Sequence, residues 1–159
     1  NLIISRSFSK IGLAGCRIGY LVASKEIAEL LYKYRPFYEI TSFSSYVLDE
    51  VLSSNSIIQK YIKETLAGKN FLMKKLNSLK IKYFNTNTNF ILIKFRSKII
   101  RDKIQKFLVS KNFLVLGESK LIEGEKILRI TLGPKKYMKM LFEKIHYFLK
   151  ANNYKFNSY

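Results

Sequence analysis

The chain is poor in the residues that build disulfides, metal sites and tight turns. Its 159 residues include one cysteine, one histidine, two prolines and no tryptophan. A single cysteine excludes an intramolecular disulfide, which favours a cytoplasmic protein. No grouping of histidine, cysteine and aspartate in the sequence predicts a metal site, and His146 is expected to pack in a helix. No apolar run approaches the roughly 20 residues that span a bilayer, so we expect no membrane-spanning segment.

Acidic residues are also scarce. The 11 Asp and Glu stand against 29 Lys and Arg, which gives a formal net charge of +18. An excess this large suits a polyanionic partner such as nucleic acid or an anionic membrane. It also arises by compositional drift, because the chain is rich in Lys, Ile, Asn, Phe and Tyr together. The lysines are spread along the chain without zinc-finger spacing or an RNA-binding aromatic motif, so drift is favoured and neither partner is expected.

What is present indicates alternating helices and strands. The predicted strands are residues 1–5, 17–23, 90–95, 113–116 and 127–132. The predicted helices are 24–33, 41–52, 56–79, 98–110 and 134–150, with Ser24 capping the first and Pro134 opening the last. The first two strands are apolar on both faces, which is typical of a sheet covered by helices on each side. The fold class is therefore α/β, with a domain change within the long helix 56–79.

The most informative stretch is SFSKIGLAGCRIGY, which begins at Ser7. In it Lys10 follows two hydroxyl residues, Ser7 and Ser9, and lies seven residues before Arg17. Hydroxyls, a glycine-rich turn and an arginine suit a phosphate dianion, because backbone N–H groups and the guanidinium both donate to it. A lysine beside a bound phosphate can bond covalently to pyridoxal phosphate. The alternative for a lysine in a loop is a solvated surface charge.

This stretch resembles the lysine signature of the class I and II aminotransferases, S-x-[ST]-K followed by G-x-R-x-G-[YF]. It is especially similar to the histidinol-phosphate aminotransferase branch. The segments TNFIL at 88–92 and LRITLG at 128–133 are similar to strands of the family's small domain. The step from lysine to arginine is one residue shorter here than in many members.

The resemblance implies an architecture and a reaction. Residues 1–69 would be the end of the family's large pyridoxal-phosphate-binding domain, and residues 70–159 its small α/β domain. The protein would transfer an amino group between histidinol phosphate or an amino acid and 2-oxoglutarate, as a homodimer. The family's contacts to the cofactor ring precede the lysine by many residues, so they would lie outside this chain. The alternatives are a related decarboxylase of amino-acid phosphates, an aminotransferase for another acidic substrate, and a non-enzymatic basic nucleic-acid-binding module.

The same resemblance assigns roles to individual residues. The cofactor-binding residues would be Ser7, Ser9, Lys10 and Arg17, with Lys10 catalytic. Arg129 would bind the substrate's α-carboxylate and Asn89 would lie near the substrate. From the residues alone, Arg129 could instead meet a structural Asp or Glu, and Asn89 could cap a turn in its Asn/Thr run.

Arg35 is a further candidate. Its segment, YRPFY at 34–38, resembles one in aspartate-type aminotransferases, where the arginine crosses the dimer interface to bind a distal carboxylate. The alternative, which is favoured, is a solvated arginine in the last turn of a helix.

Overall fold

The computed structural model describes residues 2–118 and 126–154 of the chain. The chain divides into two compact units, Asn1–Ile62 and Lys63–Tyr159. The boundary between them falls within one long helix, Asn55–Ser78. Helices and strands occur in both units, which confirms the α/β class. No helix in the described part of the chain is long and apolar enough to cross a membrane.

The first unit contains a pair of short strands followed by helices. It contains the strands β1 (Ile4–Ser7) and β2 (Gly19–Val22) and the helices α1 (Lys25–Tyr32) and α2 (Ser42–Ser53). It also contains the beginning of α3, a helix that spans Asn55–Ser78. The strands pair antiparallel, from Ile4 opposite Val22 to Ser7 opposite Gly19. Two short 3-10 helices, Phe8–Ile11 and Ala14–Cys16, form the connection between them.

A capping hydrogen bond explains where α2 begins, whereas the Ser24 side chain at the N-cap of α1 makes none. Thr41 precedes α2, and its Oγ1 accepts a hydrogen bond from the backbone N–H of Ser44 at 3.2 Å. Ser24 precedes α1 as predicted. The pKa of Glu26 is lowered by hydrogen bonds from its own backbone N–H and then from the Ser24 hydroxyl. An acid here is also favourable to the helix dipole.

The sequence predicted that both strands of this unit are covered on their two faces, and that prediction is wrong for the described structure. Every residue of β1 and β2 is exposed. A pair of four-residue strands has too few neighbours within the unit to cover either face. Only Ile18 and Ser44 are buried among the described residues of the unit.

The second unit is a four-stranded antiparallel sheet packed against helices. Its strands are β3 (Tyr83–Phe84), β4 (Phe90–Phe95), β5 (Leu116–Glu118) and β6 (Lys126–Thr131). Its helices after α3 are α4 (Lys98–Ser110) and α5 (Lys135–Ala151). The strand order is β3-β4-β6-β5. The predicted bounds of β4 and α4 are confirmed.

The core of this unit lies between one face of the sheet and the helices. Alternate residues of β4 and β6 point into it, together with one stripe of each helix. Its fully buried side chains include Leu72, Leu76, Ile91, Ile93, Ile104, Leu108, Leu128, Ile130, Leu141 and Ile145. Each such side chain stabilises the fold by about 1.5–3 kcal/mol relative to an exposed one.

The second unit differs from the sequence prediction in its short strands and in the position of His146. The strand expected at 113–116 is Leu116–Glu118 instead, because the backbone N–H of Phe113 bonds to the carbonyl of Leu108 at 2.9 Å and completes the end of α4. Asn112 has φ 62° at this helix end, a conformation that asparagine tolerates. His146 lies on the exposed face of α5, where its ring stacks on Phe142 at 5.9 Å.

Candidate active site

Lys10 lies in the short connection between β1 and β2. It belongs to the 3-10 helix Phe8–Ile11, which starts directly after β1. The N–H of Phe8 bonds to the carbonyl of Ile18 at 3.2 Å, and Ser7 pairs with Gly19. The connection therefore folds back on itself and brings the segment around Lys10 beside the segment that carries Arg17.

Two backbone positions in the connection depend on unusual conformations. Gly12 has φ 98°, which favours glycine, and ends the 3-10 helix through a hydrogen bond to Phe8. Arg17 has φ 56°, a left-handed conformation that is uncommon for a residue with a side chain. Outliers of this kind cluster at ligand sites, so the conformation of Arg17 adds to the reasons for placing a ligand here.

The two serines are bonded to each other. Ser7 Oγ accepts from the backbone N–H of Ser9 at 3.1 Å and donates to Ser9 Oγ at 2.8 Å. A hydroxyl has one proton to donate. Because Ser7 gives its proton to Ser9, the Ser9 hydroxyl retains its own proton for a ligand.

The electrostatics of the connection favour an anion. The first acidic residue of the chain is Glu26, whereas Arg6, Lys10 and Arg17 all precede it. All three of these cationic residues are exposed. The hydroxyls, cations and turned backbone of this segment match what a bound phosphate requires.

Arg35 lies in the same unit but is held by neighbours. Its guanidinium pairs with Glu39 and lies 4.8 Å from the centre of the Tyr32 ring. Arg35 and Arg17 line one open cavity of about 590 Å³. A substrate group bound by Arg35 would have to compete with Glu39.

Arg129 lies in the second unit, on the central strand β6. Its neighbours Leu128 and Ile130 are buried in the core, so Arg129 is on the other face of the sheet. It is half-buried there, and its guanidinium lies 5.5 Å from the centre of the Phe90 ring. A half-buried guanidinium on a sheet face is available to a carboxylate or phosphate.

Asn89 immediately precedes β4, the strand that pairs with the strand of Arg129. Its carbonyl accepts a hydrogen bond from the N–H of Leu132 at 2.8 Å, and Phe90 pairs with Thr131. The structure therefore brings the loop that ends at Asn89 beside the end of the strand that carries Arg129, whose own partner on β4 is Leu92. It likewise brings Ser7, Ser9, Lys10 and Arg17 together in the connection of the first unit.

One residue near the second group was not found from the sequence. Lys69, in α3, donates a hydrogen bond to the backbone carbonyl of Thr86 at 2.5 Å. The two residues are 17 positions apart, and a solvated lysine in a helix has the same local pattern. In the described part of the chain, no three His, Cys, Asp or Glu residues come together in a way that could hold a metal ion.

Comparison with known families identifies the fold. The chain matches the family described as aminotransferase class I and II over residues 1–145. The chain belongs to this family. The resemblance carried by the Lys10 segment is thereby confirmed.

Two curated relatives place the match within the family. The histidinol-phosphate aminotransferase 1 of Carboxydothermus hydrogenoformans is 36% identical over 146 residues, which cover 91% of this chain and 41% of that protein. The histidinol-phosphate aminotransferase of Buchnera aphidicola subsp. Diuraphis noxia is 34% identical over 156 residues, covering 94% of this chain and 42% of its own length. The chain spans about two fifths of the length of these relatives.

Solved structures agree on the fold. The histidinol-phosphate aminotransferase of Sinorhizobium meliloti, in complex with pyridoxal-5'-phosphate, matches 95% of this chain and 42% of its own with a TM-score of 0.80 at 19% identity. The L-threonine-O-3-phosphate decarboxylase of Porphyromonas gingivalis matches 94% of this chain and 47% of its own with a TM-score of 0.72 at 21% identity. Both a transaminase and a decarboxylase thus share this architecture.

Proposed function

We propose that the protein containing this chain is a pyridoxal-phosphate-dependent aminotransferase in which Lys10 bonds to the cofactor. The observation that carries the proposal is the folded-back connection between β1 and β2, which places Ser7, Ser9, Lys10 and Arg17 in one short segment. The relatives' names support an amino donor that carries an acidic group, such as histidinol phosphate, and an aminotransferase would pass the amino group to a 2-oxo acid.

The residues of the connection fit the phosphate end of the cofactor. Arg17 would donate to two phosphate oxygens through its planar guanidinium. Ser9, whose proton is not taken by Ser7, would donate to a third, with Ser7 fixing its position. The absence of acidic residues before Glu26 leaves the dianion without a competing charge within the segment.

Lys10 would perform the proton transfer. The bound cofactor supplies an electron sink for the bonds at the substrate's Cα. Once the substrate's amine has displaced Lys10 from the cofactor, the freed Lys10 Nζ would take the proton from that Cα and act as the general acid–base. The 3-10 helix Phe8–Ile11 contains the lysine backbone, and the Lys10 residue is exposed, which would leave its side chain accessible to a substrate.

Arg129 and Asn89 would orient the substrate. Arg129 suits any planar or tetrahedral oxyanion, so it would bind the phosphate of a donor in one half-reaction and the carboxylate of an acceptor in the other. Asn89 would lie near the same substrate, a role supported by the backbone bond that joins it to Leu132 at the end of the Arg129 strand. In this proposal, residues 1–69 belong to the large cofactor-binding domain and 70–159 to the small domain.

Two labelling measurements on the full-length protein test the assignment of Lys10. Borohydride reduction with the cofactor present, followed by peptide mapping, should label Lys10 alone. Lys10→Ala should remove the cofactor's visible absorbance and the label without unfolding the protein. The matched control is Lys60→Ala, an exposed lysine of the same unit, which should change neither. Labelling of any other lysine would show the assignment to be wrong.

Product analysis separates the two enzyme classes that share the fold. An aminotransferase converts the amino donor to an oxo compound and leaves its carbon skeleton intact. A decarboxylase acting on an amino-acid phosphate releases carbon dioxide instead. Release of carbon dioxide from the donor, with no oxo product, would show a decarboxylase instead, in which Lys10 would still bond to the cofactor.

The positive charge bears on the non-enzymatic alternative. Residues 63–159 contain 22 Lys and Arg against 6 Asp and Glu, a net charge of +16, whereas residues 1–62 contribute +2. Lysine occurs throughout the chain, but the excess of basic over acidic residues lies mainly in the second unit, which does not contain Lys10. A basic nucleic-acid-binding module would use that unit and would bind nucleic acid whether or not Lys10 is present. We propose instead a cytoplasmic homodimer with no nucleic-acid partner.

A further inference from the structure

Two consecutive residues of α3 contact the loops that flank the candidate substrate site. Gly68 approaches the loop after β6, and Lys69 bonds to the loop before β4, which we name the 85–89 loop. The first loop follows the strand of Arg129, and the second ends at Asn89. Neither contact follows from the Lys10 signature or from either strand motif.

The contact of Lys69 fixes the 85–89 loop. Lys69 Nζ lies 2.5 Å from the carbonyl oxygen of Thr86, in a half-buried position. The hydroxyl of Thr86 in turn donates to the carbonyl of Phe90, the first residue of β4. Lys69 therefore bonds to Thr86, and the side chain of Thr86 links the 85–89 loop to the first residue of β4.

The contact of Gly68 fixes the other loop. A Cβ on Gly68 would lie 1.9 Å from the carbonyl oxygen of Gly133, so only a glycine permits this approach. Gly133 lies two residues beyond the end of β6. The two loops are also joined directly, since the N–H of Leu132 donates to the carbonyl of Asn89 at 2.8 Å.

We propose that Lys69 is a positioning residue for substrate binding, acting through the 85–89 loop on Asn89 and, through Leu132, on the strand that carries Arg129. This rests on the proposed function, because it assumes that Asn89 and Arg129 contact the substrate. A charged donor suits the role, because its hydrogen bond to a carbonyl is stronger than a neutral one. Lys69 itself does not touch the reacting atoms in this proposal.

The test uses Lys69→Met in the full-length protein, which keeps the length of the side chain and removes the donor. We expect the KM for the acidic donor and for the 2-oxo acid to rise about tenfold, in line with the loss of one charge-assisted hydrogen bond. The kcat and the visible absorbance of the bound cofactor should change little. Lys69→Arg, which retains a donor, should recover most of the loss.

The matched control is Lys74→Met. Lys74 is an exposed lysine of the same helix, so this variant removes the same charge without touching the loop. It should leave both KM values within about twofold of the original. Equal effects of the two variants, or a fall in kcat with unchanged KM, would overturn the positioning role.

A second measurement does not depend on activity. Hydrogen exchange at the amide of Leu132, which bonds to Asn89, should accelerate in Lys69→Met and not in Lys74→Met. If the original protein neither binds the cofactor nor transfers amino groups, the proposed function fails, yet the exchange result still shows whether Lys69 orders the loop. Unchanged exchange at Leu132 would refute the inference even in an active enzyme. Should Lys69→Met fail to fold, Lys69→Leu, which also lacks a donor, serves for both measurements.

Discussion

Gly68→Ala is a sharp test of how α3 packs in the second unit, because two physical effects of opposite sign compete. In an open helix interior, alanine is more stable than glycine by about 1 kcal/mol. At Gly68 the new methyl would meet backbone, 1.9 Å from the carbonyl oxygen and 3.1 Å from the carbonyl carbon of Gly133, and the side chain of Met138 at 3.0 Å. Backbone cannot rotate away as a flexible side chain can.

The packing term should exceed the propensity term. Overfilling a packed site typically costs about 1–3 kcal/mol, and a contact this short with backbone belongs at the upper end. Subtracting the helix gain leaves a net loss of about 2 kcal/mol in the free energy of unfolding. For a unit of this size, each kcal/mol lowers Tm by about 4–8 °C. Gly68→Ala should therefore lower the Tm of the second unit by about 8–16 °C.

The assay is thermal unfolding of the 159-residue chain, followed through amide resonances of α5. The control is Gly133→Ala, in the same loop, because a Cβ built on Gly133 meets no heavy atom within 4 Å. That variant should change the free energy of unfolding by no more than about 0.5 kcal/mol. A Tm for Gly68→Ala equal to or above that of the original chain would show that α3 does not approach the loop as closely as described.

The remaining predictions concern roles and folding. Arg17→Ala in the full-length protein should weaken cofactor retention by about 10- to 100-fold, measured by dialysis and absorbance, because a charge-assisted phosphate contact worth roughly 1.5–3 kcal/mol is lost. Arg129→Ala should keep the cofactor and raise the KM of carboxylate substrates; loss of cofactor first would contradict its role. Arg35→Ala should raise the KM of a distally acidic substrate only if that substrate displaces Glu39, and equal small effects on acidic and neutral substrates would exclude the role. Hydrogen exchange of the isolated chain should show weak protection in residues 1–60 and strong protection in 70–150, and equal protection would refute this.

The order of elements could be predicted from the sequence because the signals that define them are local. Helix α4 and strand β4 have their predicted bounds, since Ser97 caps the helix through the N–H of Ile99 and an apolar run interrupted only by Lys94 defines the strand. The end of α4 was harder to place. The residues after it are apolar and extended in pattern, yet Phe113 bonds back to the helix. A two-residue strand such as β3 has no period long enough to detect.

Burial was less predictable than secondary structure, because burial depends on partners elsewhere in the chain. The runs at 1–5 and 17–23 have the composition of strands covered on both faces, and yet β1 and β2 are exposed in the structure. Large apolar side chains are exposed in the same unit, with Phe37 at 94% and Tyr38 at 98%. An apolar composition is consistent with exposure in this structure if these residues pack against parts of the protein beyond the 159 residues. The prediction of weak hydrogen-exchange protection in residues 1–60 rests on this.

The candidate site shows the same division between local and distant information. Ser7, Ser9, Lys10 and Arg17 lie within eleven residues, so a phosphate-binding segment could be inferred from the residues and their individual roles from the family resemblance. The structure adds the fold-back and the bond between the serines. The contacts around Asn89 and Arg129 are different in kind. Gly68 has the pattern of an ordinary helix glycine, Lys69 that of a solvated lysine, and their partners lie 65 and 17 residues away. A sequence motif can therefore name the groups that meet a ligand, whereas the residues that hold them in place are visible only once the chain is folded. This is why the experiment on Lys69 tests something that the family signature does not contain.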